Sequence, residues 1–268
     1  MTTAATGLLC LLGDPVAHSL SPQLHTAALA ACGIDAVYVA CRVHDVQAAV
    51  DGLHALGALG ANVTVPHKRA VWEHVDRRTS EAELIGAANT LFRDGGGWMA
   101  DNTDAEGVRR VLADDVGVEA NYGVVVFGAG GAARAVAVAL GRLGARVRID
   151  ARRPEQAAMV ATLAQAAGAR ALPADAVADV IVNATPLGLH GERLPERYHR
   201  LADGQAVLDL VYGPTPTPFV ADARARGLPA WDGLGMLVGQ AAAAFERWTG
   251  RAAPVDVMRA AATVAVGR

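Results

Sequence analysis

Lys68 stands in the run Asn62-Val63-Thr64-Val65-Pro66-His67-Lys68, a setting in which a strand stops and a helix starts. Residues 60–65 read as a short apolar strand, and Pro66 is pre-set for the first position of a helix, so His67 and Lys68 fall in that helix's first turn. An ammonium there lies at the unfavourable end of the helix dipole, which predicts a lowered lysine pKa, the property a proton-transferring lysine needs. A solvated lysine on an exposed turn is the plain alternative, and its company decides between them. In Asp101-Asn102-Thr103-Asp104-Ala105-Glu106, Thr103 with Glu106 satisfies a capping box, which puts Asp104 in a first helical turn and favours its ionised form. An ionised aspartate and a lysine of lowered pKa can handle a proton between them. Further polar groups cluster at element boundaries. Ser19 and Ser21 precede a helix beginning near Pro22, where Ser21 is a natural N-cap while Ser19 has no such reason, and Asn89-Thr90 leads into an apolar strand.

A second chemistry is written in Gly128-Ala129-Gly130-Gly131-Ala132-Ala133, which follows the apolar run 124–127 and opens an alanine-rich helix. In that context Gly128 makes a tight turn, Gly130 lets backbone approach a pyrophosphate, and the N–H groups of the helix start hold the phosphates. A tight turn without a ligand is the alternative. About twenty residues on, at the end of the next strand, the signals conflict: Asp150 suits the ribose hydroxyls of NAD, whereas Arg152 and Arg153 suit the 2′-phosphate of NADP. Two arginines outweigh one aspartate that can still belong to the strand, so NADP is expected and NAD stays possible.

The elements that must position these groups follow from periodicity. Strand-like runs at 8–12, 37–43, 61–65 and 90–93 alternate with helical patterns at 22–32, 46–56 and 80–85, and Gly95-Gly96-Gly97 reads as a hairpin turn that gives this half an antiparallel edge. A helix over 104–113 leads out. From Tyr122 the pattern restarts with strands at 124–127, 146–150, 180–183 and 206–210, helices around 154–167 and 218–226, and a last helix over 236–248 carrying Gln240. The expected fold class is α/β in two domains: residues 1–103 bind substrate and carry the catalytic groups, residues 104–234 form a Rossmann-type dinucleotide-binding domain, and the helices of 235–268 return to the first domain.

Composition narrows the partners. A net charge of −3 and a pI near 6.2 give no electrostatic case for nucleic acid or an anionic membrane, and aromatics at 4% offer no stacking array for bases. No apolar run approaches the roughly 18–20 residues of a membrane span. The three cysteines, Cys10, Cys32 and Cys41, lack metal-ligand spacing, and neither they nor His18, His25, His67 and His74 suggest a metal site. The expected partner is a small molecule, the expected compartment the cytoplasm, and the oligomeric state, monomer or homodimer, is open.

With these motifs in place the chain resembles the shikimate dehydrogenase family nearly end to end, through His18-Ser19 to Pro22, the run ending at Lys68, residues 86–90 and 102–104, the glycine turn, Asn183-Ala184-Thr185, residues 209–212 and Gly235-Met236-Leu237-Val238 with Gln240. The resemblance implies reversible NADP-dependent reduction of 3-dehydroshikimate to shikimate on the route to chorismate and the aromatic amino acids. It implies Lys68 and Asp104 as the catalytic pair, with Ser19, Ser21, Thr64, Asn89, Tyr212 and Gln240 on the substrate. It further implies Gly128, Ala129, Gly130, Gly131, Ala132, Arg152, Arg153, Asn183, Thr185 and Gly233 on the cofactor, and no metal. Ala88, Ala151, Thr26 and Pro186 depart from common family residues without removing a catalytic group. An NAD-linked quinate or shikimate dehydrogenase and a non-catalytic ligand-binding paralogue are the alternatives.

Overall fold

The computed structural model describes residues 2–199 and 201–268, and the chain divides into two compact units, Met1–Thr103 with Val238–Arg268, and Asp104–Leu237. In the first, β1 (Gly7–Gly13), α1 (Ser21–Ala31), β2 (Ala36–Arg42), α2 (Val46–Ala55), β3 (Gly60–Val63), α3 (Lys68–His74), β4 (Arg77–Arg78), α4 (Ser80–Ile85), β5 (Thr90–Asp94) and β6 (Gly97–Asp101) succeed one another. They build a six-stranded sheet of order β2-β1-β3-β5-β6-β4. β1 is parallel to both β2 and β3, while β5 runs antiparallel to β3 and to β6. The antiparallel hairpin turns at Gly95-Gly96, but it is not the sheet's edge. The two-residue β4, too short to carry a periodic signal, lies outside it in parallel with β6.

Burial explains why these runs are strands and helices. Cys10, Leu12, Ala61 and Val63 meet Val46, Val50 and Leu53 of α2 in one core. The ends of α2 and α4 are set by side chains, Asp45 accepting from the Ala48 N–H at 3.0 Å and Thr79 from the Ala82 N–H at 3.2 Å.

The second unit begins inside α5 (Thr103–Arg110), which continues as a π-helical turn over Val111–Asp115 rather than as the regular helix expected to 113. Then come β7 (Gly123–Phe127), α6 (Gly131–Arg142), β8 (Arg146–Asp150), α7 (Pro154–Ala166), β9 (Arg170–Ala171), β10 (Val180–Asn183), β11 (Ala206–Asp209), α8 (Pro218–Ala225) and β12 (Ala230–Trp231). Its sheet is parallel throughout in the order β12-β11-β10-β7-β8-β9. Counted from β7, that is the doubly wound order whose reversal point lies between β7 and β10. Both faces are covered. Val124, Val126, Val180 and Val182 enter one core, and their neighbours Val125, Phe127 and Ile181 enter another, which is why these strands read as unbroken apolar runs.

The C-terminal region holds two helices, α9 (Leu234–Thr249) and α10 (Val255–Ala265), so the helix expected to be last is followed by another that packs on α1. Among the described residues no helix is long and apolar enough to cross a membrane, and no group of three or more His, Cys, Asp or Glu is placed to hold a metal ion. Cys10, Cys32 and Cys41 are free thiols.

Candidate functional site

In the first unit the strand directions create the site. β1 and β3 end side by side, and β5 begins where β3 ends because Asn62 pairs with Thr90, which in turn pairs with Asp101 at the end of β6. Residues 14–22, 64–68, 87–90 and 101–103 therefore leave one edge of one sheet. Ser19, Ser21, Thr64, Lys68 and Asn89 all come from those segments. Gln240 is buried on α9 of the same unit.

The local geometry differs from the expectation in ways that tertiary contacts explain. β3 stops at Val63, and α3 begins at Lys68 with His67 as its N-cap, so Pro66 lies in the preceding turn and not at the first helical position. That turn is held from both sides. The Thr64 N–H donates to the Leu12 carbonyl at 2.8 Å, the His67 N–H to the Thr64 carbonyl at 2.9 Å, and His67 Nε2 lies 2.8 Å from the Val43 carbonyl. Lys68 still opens the helix, and its carbonyl accepts from the Ala88 N–H at 2.9 Å, which ties the start of α3 to the segment carrying Asn89.

Ser21 does not cap α1. Leu20 is the N-cap, and the Ser21 hydroxyl accepts from Ser19 Oγ at 3.2 Å, so the two serines face each other. Nor does the capping box at Thr103 form. Asn89 Oδ1 takes the Thr103 N–H at 2.8 Å and its hydroxyl at 3.2 Å, while Glu106 pairs with Arg109 and Arg110 at 2.7 and 2.9 Å. Those arginines hold the Glu106 carboxyl below its ordinary pKa against the opposing effect of burial. Asp104, the first residue of the second unit, is buried in the first turn of α5.

Behind the edge lies a buried polar network that joins Asn89, expected on the substrate, to Asn62, Tyr38 and Thr90, which received no role from the sequence. Asn62 donates to the Asn89 carbonyl at 3.2 Å and to Thr90 Oγ1 at 3.1 Å, and it accepts from the Tyr38 hydroxyl at 2.8 Å. Thr90 donates to Asn89 Oδ1 at 3.0 Å. The amide of Asn89 is thereby fixed with its oxygen toward Thr103. Burial raises the Tyr38 pKa well above the ordinary tyrosine value, and His25, stacked on its ring at 4.4 Å, is pushed down to about 3. Asp101 takes Thr79 Oγ1 at 2.5 Å and Arg247 Nε at 2.9 Å, fixing the end of β6 to α9. A polar residue at a strand position that faces the interior was the available signal for Asn62 and Asp101.

In the second unit the site is made of backbone. Gly128 has φ +125°, and a Cβ there would come within 2.7 Å of the Ala184 carbonyl oxygen, so the fold itself requires this glycine where β7 and β10 diverge. Gly130 and Gly131 are different, since a Cβ at either would meet nothing within 4 Å. Gly130 caps α6 with no side-chain bond to the helix start, leaving an exposed turn of N–H donors. A cavity of about 330 Å3 opens beside it, lined by Gly128, Ala129, Gly130, Arg152, Arg153 and Thr185 among the expected residues and by Gln156 and Leu187 among those not foreseen. Neither guanidinium has a side-chain or carbonyl partner among the described residues. An anionic dinucleotide fits such a set: neutral N–H donors for a pyrophosphate and two arginines for a further phosphate.

Other expected cofactor residues support this cavity from outside it. Asn183 is fully buried, donating to the Leu187 carbonyl at 3.0 Å and to Asp209 Oδ1 at 2.8 Å while accepting from Thr185 Oγ1 at 2.7 Å, so it positions Thr185. Asp209 also accepts from Thr217 Oγ1 at 2.6 Å and the Val211 N–H at 3.0 Å, and burial nonetheless raises its pKa. Gly233 is required by packing, because a Cβ would lie 2.0 Å from the Leu210 carbonyl oxygen. Gly131 and Ala132 belong to the first turn of α6 behind the lining, and Tyr212 is half-buried just past β11, its pKa raised by burial.

A parallel sheet of this order with a glycine turn and a cationic cavity at its reversal point defines a dinucleotide-binding protein of the doubly wound class. The shikimate dehydrogenase substrate binding domain matches residues 11–91, and the shikimate 5′-dehydrogenase C-terminal domain matches residues 233–263. The shikimate dehydrogenase (NADP(+)) of Moorella thermoacetica is 45% identical over 274 residues, covering 95% of this chain and 92% of that protein. The crystal structure of shikimate 5-dehydrogenase from Thermus thermophilus in complex with NADP(H) and shikimate is 36% identical, with a TM-score of 0.87 over 97% of this chain and 100% of that one. Ligand-free 5-ketofructose reductase of a Gluconobacter species is 33% identical, with a TM-score of 0.87 over 97% of this chain and 99% of that one. The chain belongs to the shikimate dehydrogenase family.

Proposed function

We propose that this chain catalyses the reversible NADP-dependent reduction of 3-dehydroshikimate to shikimate, a step toward chorismate and the aromatic amino acids. Residues 1–103 bind and turn over the substrate, 104–234 bind the dinucleotide, and the helices of 235–268 complete the first domain. The observation that carries the substrate assignment is the gathering of Ser19, Ser21, Thr64, Lys68 and Asn89 at one sheet edge. A polyhydroxylated acid needs several neutral donors and acceptors at fixed positions, and a network that locks Asn89 supplies fixed positions. Gln240 and Tyr212 extend that set.

The bound nicotinamide supplies the hydride. Lys68 as the ammonium polarises the ketone and gives its proton to the oxygen as the carbon is reduced, and as the amine it takes the hydroxyl proton in the reverse direction. Asp104 is its partner in handling that proton. Arg152 and Arg153 hold the 2′-phosphate, and the α6 start holds the pyrophosphate. The free thiols accord with a cytoplasmic protein.

Initial rates of reduced-cofactor formation from shikimate and from quinate, each with NADP and NAD, test this reading, with 5-ketofructose and NADPH as a further arm. Shikimate with NADP is expected to be fastest. Faster turnover of quinate, of 5-ketofructose or with NAD reassigns substrate or cofactor accordingly, and no turnover in any pairing overturns the catalytic proposal for these acids.

A further inference from the structure

Asp150 ends β8 in register with Phe127, where a carboxylate in this class of fold accepts from the ribose hydroxyls of NAD and repels a 2′-phosphate. Here that carboxylate is engaged elsewhere. Arg197 donates to it through Nε at 3.3 Å and Nη2 at 3.2 Å, a side-on fork from a residue 47 positions away. The arginine is itself anchored. It lies on the short 3-10 turn Glu196–Tyr198 with its guanidinium 4.7 Å from the centre of the Tyr198 ring, and buried Tyr198 packs on Phe127 at 4.5 Å. Phe127 in turn lines the cofactor cavity.

Asp150 does not line that cavity. It borders a separate one of about 340 Å3 beside Val125 and Ile181. Arg148 there is bonded to the carbonyls of Pro173 and Ala174 and Gln205 to that of Ala178, while the buried Tyr198 hydroxyl has no hydrogen-bond partner among the described residues.

We propose that Arg197 is a specificity-determining residue that holds Asp150 out of the ribose site, so that Arg152 and Arg153 alone meet the adenosine ribose and the chain prefers the 2′-phosphorylated dinucleotide. This rests on the dinucleotide reading above and is independent of the acid substrate. The side chains are 59% and 33% exposed, so the pair is screened by salt and its effect on the preference is moderate, about fivefold.

The test is the ratio of dissociation constants for NADH and NADPH, measured by nicotinamide fluorescence without acid substrate, which a merely structural role would leave constant. Arg197→Met keeps the stem over Tyr198 and removes the fork, and it is expected to lower the NADH/NADPH ratio of Kd values about fivefold. Asp150→Asn in that background restores the ratio to within about twofold of wild type, and Asp150→Asn alone leaves it within about twofold. An unchanged ratio in folded Arg197→Met overturns the proposal. So does a shift that persists in the double variant, or a marked gain in NADPH affinity from Asp150→Asn alone, which remains decisive if Arg197→Met fails to fold. Wild-type protein that binds neither dinucleotide overturns both this inference and the dinucleotide assignment, whereas dinucleotide binding without turnover of shikimate leaves this inference intact.

Discussion

Each unit presents reactive groups at the ends of parallel strands, yet they are built on different physics. The edge of the first unit depends on side chains: Asn62, Thr90, Asn89 and Thr103 are buried and hydrogen-bonded to one another. That of the second depends on backbone and space, with a glycine turn forced by Ala184 and open room at Gly130 and Gly131. A reacting ring acid demands orientation to a fraction of an ångström, which satisfied networks supply. A pyrophosphate is a larger, charged group that N–H donors and arginines hold without such a scaffold.

The comparison predicts separable failures. Lys68→Ala is expected to lower kcat about 1,000-fold while leaving the NADPH Kd near its wild-type value, measured by steady-state rates and fluorescence titration. Parallel losses in both would mean that Lys68 supports the cofactor as well. Next in size, Gly128→Ala is expected to cost about 2–3 kcal/mol of stability, read from urea unfolding, because its backbone conformation and the Ala184 carbonyl both exclude a side chain.

Acid should weaken the first unit in particular. His25 is held near a pKa of about 3 by burial, below the ordinary value of 6.5, so the unfolded chain binds the extra proton first. The associated stability is complete above about pH 6.5 and is lost as pH falls toward 3. His25→Phe keeps the ring against Tyr38 and forfeits no hydrogen bond, since neither ring nitrogen has a partner among the described residues. The variant is expected to lose about 1–2 kcal/mol less than wild type between pH 7 and pH 5 in urea titrations; equal losses would place the acid sensitivity elsewhere.

The smallest expected effects belong to the open positions of the second unit. Gly130→Ala and Arg152→Ala should leave the unfolding midpoint almost unchanged while each weakens NADPH about tenfold, near 1.4 kcal/mol. Arg152→Ala should change NADH by less than about twofold. A fall in stability at Gly130 comparable with that at Gly128 would erase the distinction between glycines kept for the fold and glycines kept for a ligand.

Much of this was legible in the chain because it rests on rules that act within a few residues. Apolar runs flanked by glycine marked β7 and β10, and the strand-glycine-helix order marked the phosphate turn. The Lys68 run marked a strand end opening a helix, though the start was displaced by two residues. β4, β9 and β12, each two residues long, left no period to detect. Competition for hydrogen bonds was equally invisible. Thr103 looks like a cap by spacing, but Asn89 and Thr90 claim its hydroxyl once the sheet brings them near, and the Ser21 hydroxyl meets that of Ser19 two residues before it. The same holds for Asp150. The sequence by itself determined that a carboxylate and two arginines arrive at the end of β8, whereas only the tertiary structure decided which of them faces the cofactor cavity, because the partner that withdraws Asp150 comes from a distant loop and an ion pair is settled by distance in space.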